Sequence, residues 1–365
     1  MKFKEFTRKN RYTVMLLALA AIVILFFTIT KGNLLWRADA WSGMAFQFPE
    51  YGVMTVGLML CFICGKMDMS FVMLGNFATI IMTYYIQSKL FNGYDADWNS
   101  VSLVVNNNLP QDQWQVASTG TVVGVILVGM LIALAIAVIG GLINGTLVSV
   151  LNIPPVMATI SMQLVWKGVS IGLTNGYALT GLPAIYSEVG HATVLGFLPV
   201  PMLIFIVIFA IAAFMVLKTT YGKKIYMIGT NEKAARYSAI NTRRVVTATY
   251  ILCDVFATIG CMIMVSTLNS AKADNGTSYV MRCILILVLA GIMPDGGIGW
   301  IINALISIVT IQIIATGVNM FPKLNSYYGD LIWGGMLLIV LIANTYLLGG
   351  KQINRKKHAK ITARA

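Results

Sequence analysis

The chain is a succession of apolar runs separated by short polar segments, many of which carry glycine or proline. Because a bilayer core of roughly 30 Å is crossed by about 20 mainly apolar residues in a helix, runs of this kind indicate transmembrane helices. We therefore predict an all-α membrane protein with about ten of them. The predicted spans are residues 13–30, 48–65, 70–88, 119–150, 155–173, 200–217, 246–266, 280–293, 299–317 and 326–348.

Composition supports a single membrane domain. Apolar residues make up 58% of the chain and charged residues 11%, whereas a soluble domain carries about 25% charged residues. We assign the domain to residues 13–349, between a basic N-terminus at 1–12 and a basic tail at 350–365. The first apolar run leads into no small-residue cleavage site, so we interpret it as a retained helix rather than a signal peptide.

The net charge of +13 is concentrated in the N-terminus, in the loop 218–245 and in the tail. Lys and Arg accumulate on the cytoplasmic side of membrane proteins, and ten crossings would place all three segments there. Residues 89–118 would then lie outside, which fits their three acids and the lack of a basic residue after Lys89. We predict a multi-pass protein of the cytoplasmic (inner) membrane with both termini in the cytoplasm, and no nucleic-acid partner.

Two glycine-bearing breaks suggest an internal repeat. Residues 64–70 and 270–279 each follow an apolar run, five predicted helices apart. An odd offset reverses the direction of crossing, and inverted repeats of this kind are common in transporters. We therefore expect spans two to five and seven to ten to be related by inverted symmetry.

The sequence lacks the common catalytic signatures. It contains no phosphate-binding G-x-x-x-x-G-K-[ST], no H-E-x-x-H or G-x-S-x-G, and two histidines, His191 and His358. We therefore expect no enzyme activity and no metal or cofactor in this chain; any ATP would be bound by another protein. The five cysteines fall in or beside apolar runs, which favours packing over redox chemistry.

Two acids near apolar spans are candidate functional residues, because a carboxylate inside a membrane is costly and usually faces protein or water. Asp68 lies in the break at 64–70, where it could cap a helix or pair with Lys66 at the cytoplasmic edge. Asp254 could be an interfacial acid, a partner for a neighbouring helix or a direct participant in transport.

Neutral polar side chains within apolar helices are candidates for a pathway that carries an uncharged, hydroxyl-rich solute. The alternative is that they form hydrogen bonds between helices. These residues are Asn76, Asn144, Gln163, Thr174 and Asn175.

Residues 220–241, TYGKKIYMIGTNEKAARYSAIN, resemble the long cytoplasmic loop of ribose- and galactose-type ABC sugar permeases, approximately T-x-x-G-R-x-I-Y-A-x-G-G-N-x-x-A-A-x-x-S-G-I. The segments at 65–70, 141–155, 174–176 and 289–299 resemble further stretches of that family in the same order. The chain departs from the family at Lys66, Thr230 and Ala239, where glycine is usual, and at Asp254, near which a small residue is common.

The resemblance implies the ABC importer permease fold and a short coupling helix within residues 229–240 that sits in a groove of an ATP-binding subunit. Asn231 is suited to cap this helix, and Glu232 to favour its first turn through the helix dipole. The alternative is a basic loop held against anionic lipid. The coupling residues implied are Gly229, Asn231, Glu232, Ala234, Ala235 and Ile240.

The same resemblance implies ATP and Mg²⁺ on the partner ATPase, a second permease chain, identical or paralogous, and an extracytoplasmic substrate-binding protein. The implied cargo is a neutral sugar, a pentose or hexose, although related permeases carry nucleosides or the furanosyl autoinducer. An ion-coupled secondary transporter and a membrane scaffold are the functions from other classes that stay open.

Overall fold

The computed structural model describes residues 11–90, 119–194, 196, 198–321 and 331–342. The predictions for the acidic segment at 91–118, for the tail at 350–365 and for most of the N-terminal block lie outside these residues. Nearly all of the described chain is helical. The helices are α1 (Arg11–Leu35), α2 (Ala38–Ile63), α3 (Phe71–Leu90), α4 (Thr119–Ser149), α5 (Pro155–Thr174), α6 (Ala184–His191), α7 (Val200–Lys218), α8 (Thr220–Thr230), α9 (Glu232–Tyr237), α10 (Thr242–Leu268), α11 (Tyr279–Leu289), α12 (Ile301–Asn319) and α13 (Leu331–Ile342).

A helix occupies each of the ten predicted spans. Seven of the described helices, α1, α2, α4, α5, α7, α10 and α12, are long and apolar enough to cross a membrane. The chain is therefore a multi-pass membrane protein. The second helix begins at Ala38, ten residues ahead of the predicted start at residue 48. The prediction missed its first turns because they mix polar with apolar residues and because Pro49 lies inside the helix.

The antiparallel pair α2 and α10 forms the centre of the molecule. A Cβ atom at Gly57 of α2 would lie 2.8 Å from the carbonyl oxygen of Cys253, and one at Gly260 of α10 would lie 2.7 Å from that of Glu50. The two contacts are equivalent, because the same number of residues separates Gly57 from Gly260 as separates Glu50 from Cys253. Glycine thus lets the two backbones touch at two symmetric points.

The packing around this pair has the symmetry of the predicted inverted repeat. Helix α10, from the second half, packs against α3 and α4 of the first half, while α2 packs against α11 and α12 of the second half. The third helix of each set also packs against the second, α4 on α3 and α12 on α11.

Both glycine-bearing breaks contain buried residues, although Asp274 and Thr277 of the second lie on the surface. Asp68 and Ser70 in the first break are fully buried, as is Ala271 in the second. The span predicted at 280–293 is helical over Tyr279–Leu289, about 16 Å at 1.5 Å per residue, or roughly half of a bilayer core. The residues before it are extended or in turns, which a membrane protein tolerates where the backbone is buried in protein.

Four two-residue strands close one end of the molecule. Strand β1 (Leu179–Thr180) pairs antiparallel with β4 (Ser270–Ala271), and β2 (Thr193–Val194) pairs with β3 (Leu198–Pro199). Gln87 at the end of α3 donates a hydrogen bond to the carbonyl of Thr180. The ends of α3, α5 and α10 are thereby joined here, at the end of the molecule opposite to the one where α2 ends at Ile63.

Candidate functional site

Three segments that the sequence places far apart meet at the end of the molecule opposite the strands. They are the end of α2 with Gly65, the end of α8 at Gly229, and the loop at Gly296 and Gly297. The amide of Gly297 donates to the carbonyl of Ile63 at 2.9 Å. A Cβ atom at Gly229 would fall inside van der Waals contact with that same carbonyl and with the amide of Gly297. We call this the glycine junction.

The predicted coupling segment contains the end of α8 and the whole of α9. Helix α8 is capped by Thr219, whose hydroxyl accepts from the amide of Gly222. Asn231 then breaks the helix with an extended backbone, and its side chain accepts from the amide of Ala234 at 3.1 Å. The cap that was predicted at Asn231 is thus present, and Glu232 lies in the first turn of α9.

Glu232 ties α9 to the glycine junction. Its carboxylate accepts a hydrogen bond from Lys66 at 2.9 Å and from Arg236, one turn further along α9, at 2.7 Å. Partial burial acts to raise the pKa of Glu232, but the hydrogen bonds and charges of Lys66 and Arg236 outweigh it and hold the pKa below its ordinary value. Glu232 is therefore ionised at neutral pH.

The predicted pairing of Asp68 with Lys66 is wrong, because Lys66 points to Glu232. The other prediction for Asp68, that it caps a helix, is not met as stated, because its carboxylate forms an Asx-type turn that ends before the first residue of α3. Its carboxylate accepts from the amide of Ser70 at 2.7 Å and from the Ser70 hydroxyl at 2.8 Å, just before α3 begins at Phe71. The acid is fully buried rather than at the edge of the molecule.

The exposed face of α9 carries an aromatic residue that the resemblance did not point to. Tyr237 is 92% exposed, and Lys233 and Ala234 lie beside it on the surface. Ala235 is only 2% exposed and packs against the chain's own core, as does the half-buried Ile240. We refer to Asn231, Lys233, Ala234, Tyr237 and Ser238, all of them exposed, as the α9 face. The signal for Tyr237 in the sequence was a single aromatic within a polar, basic stretch.

A cavity of about 460 Å³ opens beside α9, against the connection between α4 and α5. Lys66, Lys233 and Arg236 line it together with Asn152 and Glu232. The cavity is therefore basic, with one carboxylate against three cations. An acidic group on a partner would find complementary charge here.

Ala239 is strained in a way that explains why related permeases have glycine at the corresponding position. It follows α9 with φ of +58°, a left-handed conformation that costs a residue with a Cβ roughly 1–2 kcal/mol. We expect Ala239→Gly to raise the stability of the purified protein by about 1 kcal/mol, measured as the thermal midpoint in detergent. Ala234→Gly, inside α9 and exposed, is the matched control and should lower it by a similar amount. An Ala239→Gly midpoint at or below that of the unaltered chain would contradict the conformation at Ala239.

A second polar cluster lies deeper in the molecule and contains both predicted functional acids. Asp254 of α10 is fully buried, and one of its carboxylate oxygens lies within 4.8 Å of one of Asp68. The side-chain amide of Asn144 in α4 donates to the hydroxyl of Ser70 at 2.8 Å and approaches Asp254 at 3.4 Å. Asp254 is therefore not an interfacial acid, because its side chain lies beside Asn144 of α4 and Asp68 of the break at 64–70.

The five pathway candidates are not brought together. The Asn76 amide donates to the carbonyl of Asn275 at 2.6 Å and so supports the second break, and Asn144 belongs to the acid cluster. The Thr174 hydroxyl donates to the carbonyl of Ser170 within α5. Asn175 ends α5 in a left-handed conformation, and Gln163 is half-buried on the same helix. Their role in a pathway stays a prediction.

The prediction missed three charged residues inside helices. Glu50 is 6% exposed and accepts a hydrogen bond from Tyr279, while Arg282 stacks over the rings of Tyr51, Tyr279 and Trp333. Lys167 is half-buried midway along α5 and has no ion pair with any residue that the structure describes. Glu50 and Arg282 lie near the starts of the predicted spans 48–65 and 280–293, where a charged side chain can reach the membrane surface and so gives no sign of being buried.

Comparisons with known proteins agree that the chain is similar to permease components of transport systems. Residues 40–341 match the family described as "Branched-chain amino acid transport system / permease component". The ribose import permease protein RbsC of Bacillus subtilis is 33% identical over 201 residues, which are 54% of this chain and 62% of that protein.

The autoinducer 2 import system permease protein LsrD of Escherichia coli K12, and that of Shigella flexneri, are 28% identical over 230 residues, 61% of this chain and 69% of theirs. The alignments thus span about two thirds of the length of these relatives. No solved structure matches the chain. The family match covers most of the chain, including both breaks, the glycine junction and α9, and the chain belongs to the family of permease components of branched-chain amino acid transport systems.

Proposed function

We propose that this chain is the membrane-spanning permease subunit of an ATP-driven importer in the cytoplasmic membrane, and that α9 couples it to a separate ATP-binding subunit. The observation that carries the proposal is the construction of α9. It is a short capped helix, fixed to the membrane domain by the glycine junction and by the Lys66–Glu232–Arg236 ion pairs, with Tyr237 left exposed.

A helix held in this way suits the transmission of force. Glycine-mediated backbone contacts leave little room for α9 to move independently of α2 and of the loop before α12. Movement of α9 by a partner would therefore move the end of α2, and α2 lies at the centre of both halves. ATP binding on the partner would close its two ATPase domains, pull α9 and shift the permease between inward- and outward-facing states.

The sidedness of the proposal follows from charge. Basic residues lie within α8 and on either side of α8 and α9, so this end belongs in the cytoplasm; they are Lys218, Lys223, Lys224, Arg243 and Arg244. The strand-bearing end would then face outward, where an extracytoplasmic substrate-binding protein would dock. Both termini would lie in the cytoplasm, and a second permease chain, identical or paralogous, would complete the pathway.

The cargo we propose is a neutral sugar, a pentose or hexose. This follows two relatives, which are named for the import of ribose and of autoinducer 2. A nucleoside or the furanosyl autoinducer is the alternative cargo. A secondary transporter coupled to ions is the alternative mechanism, and the buried pair Asp68 and Asp254 is the observation that favours it.

Tyr237→Ala tests the proposed role of the α9 face. An exposed aromatic anchor at the centre of an interface often contributes 2 kcal/mol or more to binding. We therefore expect the variant to bind the ATPase at least tenfold more weakly and to lose most ATP-dependent uptake in proteoliposomes. Tyr177→Ala removes an aromatic that is 76% exposed and lies outside α9, and it serves as the control.

The same proteoliposomes separate the proposed function from its alternatives. Uptake that needs ATP and the partner subunit supports the importer. Uptake driven by a proton or sodium gradient without ATP, and lost in the Asp68→Asn/Asp254→Asn double variant, would replace it with a secondary transporter. Absence of uptake under every condition, with the chain folded, would leave a scaffold role.

A further inference from the structure

The buried acid cluster is not used by the proposed coupling. It consists of Asp68, Ser70, Asn144, Cys253 and Asp254, each with no exposed surface. The break at 64–70, α4 and α10 supply these side chains, so that three separate elements meet around two carboxyl groups. One ligand atom each from Asp68, Cys253 and Asp254 lies within 4.8 Å of the others.

Two adjacent carboxyl groups in a dry interior are stable together only if one of them is protonated or a positive charge lies beside them. An ionised carboxylate removed from water costs several kcal/mol unless it is paired. No Lys, Arg or His side chain in the described ranges bonds to Asp68 or Asp254, and Lys66, two residues from Asp68, is committed to Glu232. The described residues therefore leave the pair without a counter-charge.

Three oxygen atoms of the cluster also have no hydrogen-bond donor among the described residues. They are Oδ2 of Asp68, Oδ1 of Asp254 and Oδ1 of Asn144. Buried polar atoms in proteins are nearly always paired. A proton shared between the carboxyl groups, or a cation bound between them, would satisfy the two carboxylate oxygens. It is the nitrogen of the Asn144 amide that faces the cluster, where it donates to the Ser70 hydroxyl and lies 3.4 Å from Oδ2 of Asp254.

We propose that the buried acid cluster binds one small hard cation of the Na⁺, Mg²⁺ and Ca²⁺ class. Its unpaired atoms are all oxygen, the ligand type that these ions prefer. A carboxylate oxygen of Asp68 and one of Asp254 lie within 4.8 Å of each other and can both contact one ion at distances near the roughly 2.3–2.6 Å of protein-bound Ca²⁺. The ion would tie the break at 64–70 to α10, and so fix the loop that presents Lys66 to Glu232.

The test uses the purified full-length protein in detergent, stripped with a chelator and dialysed. Its thermal midpoint is measured in NaCl, MgCl₂ and CaCl₂, each against choline chloride of equal ionic strength. We expect one of the metal salts, and not choline, to raise the midpoint by several degrees with saturation, as binding to the folded state requires. Metal analysis after dialysis against that salt should find about one ion per chain.

Asp254→Asn separates the site from nonspecific salt effects. We expect this variant to lose both the metal-dependent rise and the bound ion, while Asp39→Asn, the same change at an exposed acid in α2, keeps both. The absence of a metal-dependent rise in the thermal midpoint of the unaltered protein would overturn the proposal. A difference in midpoint between the unaltered protein and Asp254→Asn that depends on pH and not on metal would also overturn it, and would indicate a shared proton instead. If Asp254→Asn does not fold, the metal content and midpoints of the unaltered protein still decide the question.

Discussion

Gly229→Ala is expected to lower the stability of the protein by about 1–3 kcal/mol and to abolish ATP-dependent uptake, because the added methyl group overpacks the glycine junction. The atoms it would strike are the carbonyl of Ile63 and the amide of Gly297. Both are backbone atoms, which cannot rotate away as a side-chain end can. The measurement is the thermal midpoint in detergent, followed by uptake in proteoliposomes that contain the partner subunits.

The matched control is Gly124→Ala in α4, where an added Cβ meets nothing within 4 Å. Alanine is about 1 kcal/mol more favourable than glycine inside a helix, so this control should be neutral or slightly stabilising. If Gly229→Ala behaved like the control in both stability and uptake, the close approach of α8 to α2 and to the loop before α12 would be incorrect.

Glu232→Arg is expected to stop ATP-dependent uptake while leaving the chain inserted and monodisperse. The change would put a third cation beside Lys66 and Arg236, where the structure now has one carboxylate between two cations. Partly exposed ion pairs contribute little to overall stability, typically 0–1 kcal/mol, so the thermal midpoint should change only slightly. A large loss of uptake with a small loss of stability is the signature of coupling.

A charge reversal provides the internal control for Glu232. Lys66→Glu in the Glu232→Arg background restores an ion pair across the same contact and should recover part of the uptake. Asp39→Arg, which removes an exposed acid that pairs only with Arg37 among the described residues, should leave uptake unchanged. Full uptake by the Glu232→Arg single variant would contradict the role of this ion pair.

The hydrophobic pattern was sufficient to locate the membrane helices but not their ends. Periodicity and length depend on local residues, so each predicted span contains a helix. The start of α2 at Ala38 and the shortness of α11 depend on tertiary packing instead. The loop before α11 is accommodated inside the protein partly by the Asn76 amide, from a helix some two hundred residues earlier, and no local signal in the sequence reports such a bond.

The candidate site likewise has features that local sequence predicts and features that only the fold explains. The Asn231 cap and the position of Glu232 could be predicted because caps and first-turn acids are local features. Lys66 was assigned to the wrong acid, because Asp68 is its neighbour in sequence and Glu232 is its neighbour in space. The departure from glycine at Lys66 was visible in the sequence, but its reason, an ion pair that fixes α9, required the fold.

Buried charge was the least predictable feature. Glu50 and Arg282 are accommodated by Tyr279 and by three aromatic rings contributed by α2, α11 and α13. Since most of those partners come from distant segments, the sequence offers the charged residue without the main reason it is tolerated. The meeting of Asp254 with Asp68 is another case, because each acid alone had an ordinary local explanation.

Affinity purification of the tagged chain in mild detergent, with identification of the co-purifying proteins by mass spectrometry, tests most directly whether α9 docks on a separate ATPase. We predict that an ATPase with a phosphate-binding loop is recovered with the unaltered chain and is lost with Glu232→Arg at equal expression. Recovery of no ATPase with a monodisperse, unaltered chain would contradict the proposed coupling.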